Sequence, residues 1–74
     1  MTSVSGEEPL DVIRLMEEAI EEERRAHEKY KQGAEAAADP ETRSLFEQLA
    51  RMEENHERML RDRLSALKLI KGDR

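Results

Sequence analysis

The stretch Ala37-Ala38-Asp39-Pro40-Glu41 decides how this chain folds. Pro40 disfavours the helical region for the residue before it, so a helix arriving from the N-terminal side ends by Asp39. Asp39 is itself a good cap, and Pro40 and Glu41 suit the first turn of a new helix. One helix therefore stops and another starts across a tight turn at residues 39–40. Two long helices joined so closely form an antiparallel hairpin.

Both flanks carry helical periodicity. Upstream, Leu10, Ile13, Met16, Ile20, Ala26, Tyr30, Ala34 and Ala37 recur at helical spacing. Pro9 suits a first helical turn, so the first helix is predicted over residues 9–38. Its internal weak point is Gly33, which costs about 1 kcal/mol relative to alanine unless a close helix approach requires it. Downstream, Leu45, Leu49, Leu60, Leu64 and Leu67 mark a helix over residues 40–70. Lys68 and Lys71 favour its C-terminal end, and Gly72 suits a stop. Residues 1–8 read as a flexible arm, 9–71 as the hairpin and 72–74 as a tail. The predicted class is all-α. Two helices cannot cover their own apolar stripes, so the hairpin is expected to dimerise into a four-helix bundle.

Composition narrows the function. The 74 residues allow one small domain. Charged residues make up 42% of the chain, a level that suggests disorder until the apolar periodicity is set beside it. The net charge of −5 argues against nucleic acid as partner. There is no cysteine, so disulfides, thiolate zinc sites and iron–sulfur clusters are excluded. No apolar run is long enough to span a membrane, and residues 1–8 lack the basic and apolar regions of a secretion signal. The expected location is the cytoplasm.

Two polar residues interrupt the apolar stripe of the second helix. Glu53 and His56 stand between Leu49 and Leu60, where leucines would continue the pattern. At a spacing of three they share one helical face. An inward carboxylate without a partner costs several kcal/mol, so it calls for a counter-ion or a metal. On the first helix, Glu23 interrupts the stripe between Ile20 and Ala26. Counted from Asp39 at about 1.5 Å per residue, Glu23, Glu53 and His56 lie at heights of about 24, 21 and 25 Å. One hairpin thus offers two carboxylates and one imidazole at one level. A two-fold pair of hairpins offers four carboxylates and two imidazoles, the ligand set of a di-iron or di-manganese carboxylate centre.

The residues around these positions carry a resemblance. Ala19-Ile20-Glu21-Glu22-Glu23-Arg24-Arg25-Ala26-His27-Glu28-Lys29-Tyr30 is similar to the first ligand helix of the rubrerythrin and ferritin-like families. Leu49-Ala50-Arg51-Met52-Glu53-Glu54-Asn55-His56-Glu57-Arg58-Met59-Leu60 resembles their Glu-x-x-His helix. Asp39-Pro40-Glu41 with Arg43-Ser44-Leu45-Phe46 resembles their connecting region. With one helix pair per chain, the protein is most similar to the half-ferritins, notably the encapsulated ferritins. The resemblance implies a ferritin-like bundle with an iron site between two subunits. It makes Glu23 and His56 terminal ligands, Glu53 the bridging ligand, and Tyr30 a hydrogen-bond partner of a ligand carboxylate. It implies oxidation of Fe(II) by oxygen or peroxide, a di-iron cofactor for which Mn or Zn can substitute, and storage or detoxification of iron. An encapsulin shell is a further implied partner and location, although Leu67-Lys68-Leu69-Ile70-Lys71-Gly72 is only a weak cargo tag.

Plainer readings stand beside these. Glu53 and His56 also suit a polar pair that sets register in a coiled coil without turnover, metal-bound or metal-free. A rubrerythrin-like peroxide scavenger fed by an outside electron donor uses the same ligands. His27, one turn after Glu23, reads as an accessory ligand, a proton carrier or a boundary residue. Glu22, Glu54 and Glu57 read as cation guides or as a solvated face. Met16, Met52 and Met59 read as packing residues.

Overall fold

The computed structural model describes residues 11–70. Two helices account for nearly all of them: α1, Val12–Ala36, and α2, Pro40–Ile70. They pack against each other as an antiparallel hairpin, the all-α architecture read from the sequence. Neither helix is long and apolar enough to cross a membrane. The arm at residues 1–8, Pro9 and the tail at 72–74 lie outside the described residues.

The helix ends follow from backbone hydrogen bonding. At the start of α1, the Asp11 carboxylate accepts from the Arg14 N–H at 3.2 Å, and the Asp11 backbone is extended. The helix begins at Val12, with Asp11 as its cap. Asp11 satisfies an N–H that has no partner inside the helix. At its other end α1 stops at Ala36, two residues short of the expected limit, because Ala37 turns to extended backbone. The Arg43 guanidinium then reaches back and donates to the Ala37 carbonyl at 3.2 Å. Asp39 caps α2 as expected, accepting from the Thr42 N–H at 2.9 Å. That hydrogen bond, with others from the same turn, holds the Asp39 carboxyl below its ordinary range.

Close packing near the turn fixes the register. Gly33 lies under the Phe46 ring, and a Cβ built on it would meet ring carbons at 2.7–2.8 Å. A close helix approach is thus the reason for a glycine inside α1. Tyr30 packs on the same ring, with centroids 6.2 Å apart. Gly33 lies six residues before Asp39, and Phe46 lies six after Pro40. The far ends of the helices are linked by Lys68 and Glu17, 3.5 Å apart.

The hairpin is one layer thick and has little interior. Among the described residues only Ile20, Ala34 and Ala50 are buried. Leu45, predicted on the inward stripe, is 53% exposed, and the expected packing residues Met52 and Met59 are 48% and 67% exposed. The physical reason is width: the apolar face of α2 extends beyond the strip that one partner helix covers. Many charged residues form exposed pairs within one helix, such as Arg14–Glu18 and Arg24–Glu21. Each contributes a few tenths of a kcal/mol at most, so they solubilise the outer faces more than they stabilise the fold.

Candidate metal centre

The register set by Gly33 and Phe46 carries outward along both helices. Glu23 lies sixteen residues before Asp39, and His56 lies sixteen after Pro40. The two side chains meet across the hairpin, with Glu53 one turn from His56. One ligand atom from each of Glu23, Glu53 and His56 falls within 4.8 Å of the others. His56 Nδ1 stands 3.6 Å from Glu23 Oε1 and 3.5 Å from Glu53 Oε1. The level match predicted from residue counting is therefore present in three dimensions.

The burial of the three is unequal. The Glu53 and Glu23 side chains are 18% and 25% exposed, whereas His56 is 48% exposed. The carboxylates lie between the helices and the imidazole sits at the edge. Glu23, His56, Met59 and Leu60 line one shallow depression on that side. The site thus opens on the same stripe of α2 that exposes Met52 and Met59.

The electrostatics are unsettled without a cation. Glu23 Oε1 is buried and has no hydrogen-bond donor. Ionised carboxylates only accept, so Glu23 and Glu53 hydrogen-bond each other only when one holds a proton. The carboxyl of Glu23 is accordingly pushed above its ordinary range, first by that hydrogen bond to Glu53. Burial and the Glu53 charge add to the rise, and His56 opposes it. A cation among the three groups removes the conflict, because it satisfies the orphan oxygen and favours both carboxylates ionised. Carboxylate oxygen with imidazole nitrogen is a donor set suited to iron, manganese or zinc. The residues fit a metal.

The other sequence candidates fall elsewhere. His27 is half-buried and lines a separate groove with Glu21, Arg24, Glu28 and Glu57, and it does not join the three ligand atoms. Tyr30 lies two turns from Glu23, about 10 Å along the axis, and packs on Phe46. The expected hydrogen bond from Tyr30 to a ligand carboxylate is not formed within the chain. Glu57 is largely covered and pairs with Arg61 at 2.8 Å, and it does not join the three ligand atoms. Met59 and Leu60 at the rim of the site were not anticipated. The signal was present, since Met52 and Met59 stand one turn on either side of His56.

A helical hairpin that gathers two glutamates and a histidine between its helices defines a helix-bundle protein of the carboxylate–histidine metal class. The Rubrerythrin family model matches residues 3–66, and the chain belongs to that family, within the ferritin-like superfamily. The family typically binds iron, which agrees with the donor set. No curated protein and no solved structure matches the chain significantly.

Proposed function

We propose that this protein is a ferroxidase whose di-iron site forms between two copies of the chain, as in half-ferritins. One observation supports this most. Glu23, Glu53 and His56 converge within 4.8 Å, yet they supply only half of a di-metal ligand set. The open side of the site coincides with the exposed apolar stripe at Leu45, Met52 and Met59. A second copy related by a two-fold axis covers that stripe and brings the other half of the ligands.

In this reading Glu23, Glu53 and His56 of each chain would hold the metal pair. An iron pair held there would supply the redox chemistry for Fe(II) oxidation by oxygen or peroxide. The chain's own part is to hold the ligands at one level and to present Glu23 and Glu53 as carboxylates to the cation. Covering the apolar stripe also excludes water from the site. Iron storage or detoxification, a cytoplasmic location and packaging in an encapsulin shell belong to the same proposal.

Fe(II) oxidation in air, followed by absorbance, tests the activity. The wild-type chain should oxidise Fe(II) well above buffer, and Glu53→Ala or His56→Ala should lower the rate at least about tenfold, roughly 1.4 kcal/mol. Unchanged rates in both variants would place the activity elsewhere. Replacing oxygen by hydrogen peroxide separates a ferroxidase from a peroxide scavenger by showing which oxidant is consumed faster.

A further inference from the structure

We infer that Met59, with Met52, is an oxidation site through which peroxide loosens the association of two chains. The inference rests on the association face proposed above. Met52, His56 and Met59 follow one another along a single face of α2, at spacings of four and three residues. Met59 is 67% exposed and Met52 48%, unusual values for unbranched apolar side chains that belong in cores. Met59 also lines the same depression as His56 and Glu23. Peroxide arriving from solvent while the chains are apart therefore encounters this thioether directly.

The chemistry balances with hydrogen peroxide alone. The methionine sulfur donates an electron pair to one peroxide oxygen, and the O–O bond breaks. The second oxygen leaves as water after proton transfer, so sulfur is oxidised to the sulfoxide and peroxide is reduced. No metal and no further reductant are needed. The product replaces a flexible apolar side chain with a polar one. On this face that change removes the apolar surface a second copy covers. Leu45, another large exposed apolar residue of α2, has no oxidisable atom and stays unchanged.

The test uses the full chain, free of metal, treated with graded hydrogen peroxide. Peptide mass mapping reads added oxygen at each methionine, and sedimentation equilibrium reads association. The expected result is one added oxygen at Met59 and at Met52, with a dissociation constant raised at least about tenfold. Met52→Leu/Met59→Leu keeps volume and hydrophobicity. That variant should still associate, and its own dissociation constant should not move with peroxide. Full oxidation with unchanged association, or equal peroxide sensitivity in the double variant, would overturn the proposal. A wild-type chain that is monomeric before any peroxide is added overturns the association reading, and this inference with it.

Discussion

Glu23 is where the account is most exposed to test at the scale of one residue. Its carboxyl is raised by the hydrogen bond to Glu53, by burial and by the Glu53 charge. A carboxyl raised in the fold favours the folded state while it is protonated. That contribution is complete below the ordinary value of 4.5 and is lost as pH rises through the raised folded value. The metal-free protein should therefore lose stability over that window relative to Glu23→Gln, which cannot ionise. Thermal melts of both proteins across this range check the sign, and parallel curves would contradict it. Saturating metal should abolish the difference for wild type, because the cation holds the carboxylate ionised. Glu53 and His56 were legible as intruders in a leucine stripe. The orphaned Glu23 Oε1 was not, because it depends on side-chain positions that spacing leaves open.

Register is the property that matters at the scale of the helices, and Gly33 controls it. Counting from Asp39 predicted that Glu23, Glu53 and His56 share a level, and the Gly33–Phe46 contact shows what holds them there. Gly33→Ala gains about 1 kcal/mol in helix propensity. It also drives a Cβ into the Phe46 ring, and overpacking of this kind costs about 1–3 kcal/mol. The variant should melt lower than wild type, with a smaller loss in a Phe46→Leu background. A higher melting temperature for Gly33→Ala alone would show that the contact does not constrain the helices. The turn was legible because Pro40 and Asp39 act through local backbone chemistry. The Arg43 bond to the Ala37 carbonyl was not, because it joins the start of one helix to the end of another. The early stop of α1 at Ala36 was missed for a related reason: three alanines favour helix, and tertiary context overrides them.

At the scale of the whole molecule, the described residues form one layer with little interior. Only Ile20, Ala34 and Ala50 are buried among the described residues, while Leu45, Met52 and Met59 face outward beside an open ligand cluster. The sequence forecast this in outline, since two amphipathic helices cannot enclose their own apolar faces. It placed Leu45 on the inward stripe and read the two methionines as packing residues, whereas a single hairpin leaves all three exposed, because periodicity defines a face but not how much of it one neighbour covers. The central claim is that a second copy covers this face and completes the metal site. Anaerobic addition of Fe(II), with sedimentation and bound iron measured on the same sample, tests it most directly. The account predicts a dimer, or a larger assembly of dimers, that binds one iron per chain and falls to weakly loaded monomers in Glu53→Ala/His56→Ala. Monomeric wild-type chains at saturating iron, or a stable dimer that binds none, would contradict it.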